Sequence, residues 1–281
     1  MFYKKINYPD GDFYIELIDK KEEFTFRINS YDDLWELHHL IDVLNHNNIK
    51  PTITIPNLLS CQADRRFAKD QSFGLKLVLK HLIQMNANFR IFHPHNAEVV
   101  EMAFEICDKK VTIIDNSEFL DEVFSILVED YDYDGNNLDA NLIMLFPDGG
   151  AYKWGAKLAD KKDFRGDVLA AAKNRKFIDG KSVLTQQLPN FDYKGKDILI
   201  IDDICIYGGT FKGLAKLLKE QGCNRLYLAV SHLTAQNHEK DSIFEYFDKV
   251  FTTNSKYDDY FVRIDGNSGK MPSNLEIIKL F

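Results

Sequence analysis

Apolar residues in this chain fall into short unbroken runs, separated by segments in which they recur every three or four positions. The runs are TITIP (52–56), FRIFHPH (89–95), KVTIID (110–115), NLIMLFPD (141–148), DILIIDD (197–203) and RLYLAVSH (225–232). Alternation of such runs with helix-period segments predicts parallel sheets with crossover helices. The first helical segment, SYDDLWELHHLIDVLNHNN, opens on Ser30, a good N-cap, and carries Leu34, Leu37, Leu40, Ile41 and Leu44 at helical spacing. SFGLKLVLKHLIQMN (72–86) and TFKGLAKLLKEQG (210–222) repeat the pattern, and the second closes on Gly222 as a C′ residue. The chain is expected to be α/β throughout.

Length changes this picture by dividing it. At 281 residues and 45% hydrophobic content, two medium domains are a better expectation than one large one. The boundary is placed at about residue 118, where the strand ending at Asp115 gives way to a new helix, so the expected domains are 1–118 and 119–281. The acidic stretch VEDYDYDGNNLDAN (128–141) is read as a loop of the second domain. A net charge of -8 argues against an extended nucleic-acid surface, which would need clustered Lys and Arg. Cys61, Cys107, Cys205 and Cys223 form no CxxC pair and no zinc spacing, and read as reduced and mostly structural. No stretch approaches the roughly 20 apolar residues of a spanning helix, and the first residues lack an apolar leader core. A cytoplasmic protein with no membrane partner is expected.

Candidate chemistry concentrates in DILIIDDICIYGGTF (197–211). In an open parallel sheet, ligands collect at the carboxyl ends of strands, and a turn into a helix offers free amides to phosphate. Asp202 and Asp203 stand at such an end. Gly208 and Gly209 let backbone approach a ligand, and Thr210 offers a hydroxyl. Taken alone, the stretch could also be an acidic strand end with an ordinary glycine turn. Neither GxxxxGK[ST] nor GxGxxG occurs.

The acid pair followed by YGGT resembles the ribose-phosphate loop of type I phosphoribosyltransferases and of phosphoribosyl pyrophosphate (PRPP) synthetases. Further stretches are similar to the latter family in the same order: YPDGD (8–12), IPNLLSCQADRRFAKDQSFGLKLVLKHL, HPHNAEVVE, FPDGGAYKWGAKLA, AAKNRKF and VSHLTAQNHEKDSIFEYFDKVFTTNS. The resemblance implies two tandem type I phosphoribosyltransferase-like domains, with parallel sheets flanked by helices. It implies an ATP-dependent pyrophosphokinase that uses Mg2+ and moves a diphosphoryl group from ATP to the anomeric hydroxyl of a ribose 5-phosphate moiety. Lys173 and Arg175 would stabilise charge on the transferring group from a flexible loop, with His95 near the metal and the ATP phosphates. Tyr8, Asp10 and Asp12 would contact ATP from a neighbouring subunit, making the active species a homo-oligomer, and Arg65 and Arg66 would meet its phosphates. Asp148, Asp202, Asp203, Tyr207, Gly208, Gly209 and Thr210 would hold the ribose phosphate, Asp148 sharing the metal with His95. Without the resemblance, KNRK is a solvated surface turn, the arginines are surface charges and a lone histidine is structural.

The match departs from the family pattern at several positions. Ile206 and Tyr207 stand where an Asp-Thr pair is usual, Cys61-Gln62-Ala63-Asp64 replaces Ala-Arg-Gln-Asp, and His93 replaces an Asp. A pocket that has lost a carboxylate and a hydroxyl, and gained an aromatic face, suits a substituted 5-phosphate. ADP-ribose is therefore the expected acceptor, giving ADP-ribose pyrophosphate for NAD salvage. The alternatives are ribose 5-phosphate, giving PRPP, a non-catalytic PRPP-synthetase-associated protein, or a plain phosphoribosyltransferase, which would leave residues 1–118 without a role.

Overall fold

A computed structural model describes residues 2–66, 68–130, 141–178, 181–234, 242–256 and 272–281, with backbone alone for 174–178 and 181–185. The chain forms two compact units, Met1–Asn116 with Phe281, and Ser117–Leu280.

The first unit opens with an antiparallel hairpin, β1 (Tyr3–Asn7) and β2 (Phe13–Leu17), that the apolar pattern did not predict. Four parallel strands follow in sheet order β3 (Glu23–Thr25), β4 (Thr52–Ile55), β5 (Asn88–Phe92) and β6 (Val111–Ile114). Helices α1 (Tyr31–His46), α2 (Gly74–Gln84) and α3 (Ala97–Glu105) connect them. Helix α1 starts where the sequence says it should. Ser30 Oγ accepts the Asp33 amide at 3.2 Å, and Asp33 Oδ2 accepts the Ser30 amide at 2.8 Å, which satisfies two otherwise orphaned donors. The helix closes at the C-cap Asn47 and is followed by Asn48, whose φ of 62° is one that asparagine tolerates. Leu37, Leu40 and Leu44 on its inner face are fully buried, each contributing about 1.5–3 kcal/mol.

The second unit is a six-stranded parallel sheet in the order β14 (Leu275–Ile278), β13 (Lys249–Thr253), β12 (Leu226–Leu233), β11 (Asp197–Cys205), β7 (Leu142–Phe146) and β8 (Val168–Ala170). The unbroken apolar runs of β7, β11 and β12 arise because both sheet faces are covered. Ile198 and Ile200 pack with Ile143, Leu145, Leu228 and helix α6 (Gly209–Glu220). Leu199 and Ile201 point the other way, to Met144, Phe146 and Tyr227 beneath α4 (Ser117–Asp130) and α5 (Gly149–Lys161). Helix α4 includes residues 128–130, which the composition had assigned to a loop, because Leu127 and its preceding apolar positions anchor the last turn; residues 131–140 lie outside the described residues.

A second departure concerns AAKNRKF, expected as a flexible loop. Its residues form β9 (Ala172–Ile178), paired antiparallel with β10 (Lys181–Gln187) in a hairpin of its own. Backbone pairing along seven residues replaces the loop.

Candidate active site

Strand β7 lies between β8, which follows it in the chain, and β11 on the opposite side. The order of winding therefore reverses between β7 and β11, and the carboxyl ends of those two strands form the crevice in which open α/β sheets bind ligands. Asp148 follows β7, and Asp202 and Asp203 sit near the end of β11. Asp203 is 4% exposed and its amide donates to Asp202 Oδ1 at 2.9 Å. Burial pushes the Asp202 carboxyl well above the ordinary range, and the nearby Asp203 and Asp148 add to the shift. The sequence-predicted acids thus share one electrostatic environment. Asp148 also supports the fold, since its Oδ1 accepts the amides of Gly150 and Ala151 at 2.9 and 3.0 Å and so caps α5. That leaves Oδ2 as the oxygen not engaged in the cap.

The turn after β11 supplies the complementary half. Gly208 has φ 73°, and a Cβ there would stand 2.9 Å from Ile243 Cδ1, so both the backbone angle and the packing require glycine. It is the N-cap of α6 and offers no side-chain cap. The amides of Gly209, Thr210 and Phe211 in the first turn therefore have no intrahelical partner. Among the described residues no heavy atom lies within 4 Å of a Cβ built on Gly209, so they leave the space over the turn open. Free amides, the helix dipole and open space together suit a phosphate. Tyr207 is 89% exposed at the rim. Cys205 just before the turn is no nucleophile, since burial and the neighbouring Asp202 push its thiol up to about 12.

Lys173 lies exposed on β9, directly across from Gln186 of β10. Arg175 pairs in register with Leu184, and its side chain lies outside the described residues.

In the first unit the predicted nucleotide-side residues divide into two groups. Asp64 accepts Arg65 Nε at 3.0 Å and Asn96 Nδ2 at 3.3 Å, and His95 is close enough to act on its charge. Burial opposes ionisation of Asp64, but the Asn96 amide and the Arg65 guanidinium outweigh it and hold the carboxyl below its usual range. Asp64, held by Asn96, thus orients Arg65 and lies within electrostatic reach of His95, a role the sequence did not disclose. The available signal was position, since Asn96 caps α3 through the Val99 amide at 3.2 Å. His93, at the end of β5, holds φ 36°, a conformation that costs a non-glycine residue energy. Arg66 is turned away from this cluster and donates to the Gln71 carbonyl at 2.9 Å. Tyr8, Asp10 and Asp12 occupy the exposed tip of the β1–β2 hairpin. The bonds of Asp10 and Asp12 stay within it, to the amides of Asp12 and Phe13 at 3.2 and 2.8 Å.

The parallel sheet with acids and a glycine turn at its reversal point defines the class as a phosphoribosyltransferase fold. The family model for the phosphoribosyl transferase domain matches residues 112–264, more than half of the chain. A ribose-phosphate pyrophosphokinase of Sulfurisphaera tokodaii is 26% identical over 259 residues, spanning 88% of this chain and 82% of that protein. Its counterpart in Pyrococcus furiosus is 24% identical over 254 residues, covering 88% and 84%. Phosphoribosylpyrophosphate synthetase from Mycobacterium smegmatis superposes with a TM-score of 0.71 at 16% identity, over 99% of this chain and 86% of that one. The chain belongs to the PRPP synthetase, or ribose-phosphate pyrophosphokinase, family, which is built on this domain.

Proposed function

We propose that the chain transfers the β,γ-diphosphoryl group of ATP to the anomeric hydroxyl of ribose 5-phosphate, forming PRPP and AMP. The observation that carries the reading is the meeting of Asp148, Asp202 and Asp203 with the open amide turn of α6 at one reversal point. A ribose phosphate needs those two halves together. Carboxylates accept from its ring hydroxyls, while backbone amides and Thr210 surround its 5-phosphate. The anomeric oxygen then attacks the β-phosphorus and AMP leaves, so positioning and charge stabilisation dominate the catalysis. Lys173 and Arg175 place positive charge on the β9–β10 hairpin for that purpose. Arg65, held by Asp64, and His95 serve the nucleotide.

The donor chemistry suits Mg2+ in kind, since Asp148, Asp202 and Asp203 offer hard carboxylate oxygens at the reversal point, and Asp148 would hold the ion. Among the described residues no three such side chains form a ready-made cation cluster, so phosphate oxygens of the substrate would complete the coordination. When bound, the ion supplies neutralisation of the diphosphate charge.

The relatives named above favour ribose 5-phosphate as acceptor. A second reading, with ADP-ribose as acceptor, draws on Tyr207, whose exposed ring at the rim could stack on a base beyond the phosphate. The deciding experiment incubates the protein with Mg2+ and ATP, adds either sugar, and follows AMP by chromatography. AMP release is expected to depend on ribose 5-phosphate, with kcat/KM at least tenfold above that for ADP-ribose, on the order of 1.4 kcal/mol or more in transition-state stabilisation. The reverse ranking would transfer the assignment to ADP-ribose. No AMP with either sugar would mark a non-catalytic member.

A further inference from the structure

Among the described residues, a side chain of the hairpin that carries Lys173 is tied to the phosphate-binding turn. Gln186 Nε2 donates to the carbonyl oxygen of Thr210 at 2.9 Å, in the first turn of α6. The other end of the same amide lies against the helix a turn later. A Cβ built on Gly213 would stand 2.1 Å from Gln186 Oε1, so the amide can seat there only because residue 213 has no side chain. Register supplies the third observation. Gln186 is the cross-strand partner of Lys173, and directly opposed residues of an antiparallel pair project from the same face.

We infer that Gln186 is a positioning residue that fixes the distance between Lys173 and the phosphate-binding turn of α6. This rests on the role proposed for Lys173 and extends it to a residue outside the reacting groups. An exposed lysine at the end of four rotatable bonds has many positions available, and a charge that must meet a transferring group gains from having its strand fixed. The hydrogen bond to Thr210 anchors the root of β10. Through the pairing, it anchors the segment of β9 from which Lys173 projects. The bond is made to the main chain of the same turn that receives the sugar phosphate, so hairpin and acceptor share one frame of reference.

Two substitutions break the tie from opposite sides. Gln186→Leu keeps a branched side chain, one atom shorter, and removes its donor. Gly213→Ala leaves Gln186 in place and fills the space its amide occupies, while favouring the helix, because alanine is the better helix former. Steady-state AMP release and thermal unfolding are measured for both, for Lys173→Ala, and for Gln186→Leu combined with Lys173→Ala. Gln186→Leu is expected to lower kcat on the order of fivefold to tenfold, with KM for both substrates within about twofold. Gly213→Ala is expected to lower kcat similarly with an unchanged or higher Tm, a combination that a purely structural role would not produce. In the Lys173→Ala background, Gln186→Leu is expected to cost less than about twofold more, because its effect runs through the lysine.

A full additional loss in that background would overturn the inference, as would Gly213→Ala with kcat within about twofold of the parent. The glycine variant decides the matter if Gln186→Leu folds poorly or the doubly substituted enzyme is too slow to measure. Lys173→Ala with parental turnover would instead remove the proposed role of Lys173, and this inference with it. That result is distinct from a loss confined to Lys173→Ala, which would leave the proposed function standing and remove only Gln186.

Discussion

At the scale of single residues, the two adjacent glycines of the turn do different work, and substitution separates them. Gly208 serves the fold. Its φ of 73° penalises any side chain, and a Cβ would press on Ile243, 2.9 Å away at Cδ1 and 3.3 Å at Cβ. Gly208→Ala should lower the unfolding free energy by about 1–3 kcal/mol in a denaturant titration, combining left-handed strain with overpacking. Gly209, on the proposed function, serves the ligand. It opens α6, has no positive φ, and its missing side chain faces empty space. Gly209→Ala should therefore leave Tm unchanged or slightly raised, while raising KM for the acceptor on the order of tenfold, because the methyl takes the position of a phosphate oxygen's approach to free amides. A large Tm loss at Gly209 with unchanged KM would contradict this division. The sequence displayed the pair plainly but could not distinguish its members, because the distinction depends on Ile243, more than thirty positions away.

At the scale of elements, helices α1 and α2 meet through a histidine pair whose titration bears on stability. His38 Nε2 and His81 Nδ1 lie 3.2 Å apart, with Trp35 tilted against His38 at 5.3 Å and edge-on to His81 at 5.9 Å, and His39 of the same helix lies against Phe13 of β2. Burial lowers the His38 pKa from 6.5, and the proximity of His81 and His39 lowers it further. The folded protein keeps His38 neutral, whereas the unfolded chain takes up a proton near pH 6.5. Stability from this group is thus fully present above that value and lost as pH falls through the lowered folded pKa. Unfolding free energy measured between pH 7.5 and 5 should decline toward acid, and His38→Gln should flatten the decline; an unchanged slope would exclude the pair as its source. The elements themselves were unevenly legible. Buried runs such as LIMLF and DILII read directly as strands, because two covered faces leave no polar position to break them. The hairpins escaped notice because YKKIN and AKNRKFI are charged and give no apolar run. Yet Asp10-Gly11 lies between β1 and β2, a turn signal that outranks composition here.

At the scale of the whole molecule, the proposed function has a chain of net charge -8 handle two polyanionic substrates, so on that reading its useful cations must be local. Arg65 beside Asp64 in the first unit, and Lys173 and Arg175 on the hairpin of the second, are such places. The tip of the β1–β2 hairpin has the opposite character. Tyr8 is 50% exposed, its ring is 5.7 Å from that of Tyr14, and the Asp10 and Asp12 bonds to the backbone shape the turn. An aromatic face beside two acids can receive a nucleoside base and its amino group, and the family resemblance assigns that service to another chain's ATP. If the assignment holds, the unit of activity is at least a dimer, and sites are shared rather than owned. Complementation tests this directly. A protein with Tyr8→Ala and Asp12→Ala retains Lys173 but has a disabled tip, whereas Lys173→Ala retains the tip. Each alone should be nearly inactive. Unfolded or dissociated together and reassembled at equal amounts, random dimers would contain one intact site in half of the assemblies, so activity should recover to about one quarter of the parent. Sedimentation of the parent should show no active monomer. Failure to recover activity, with reassembly verified by mixed-tag capture, would place each tip on its own chain's nucleotide or on none.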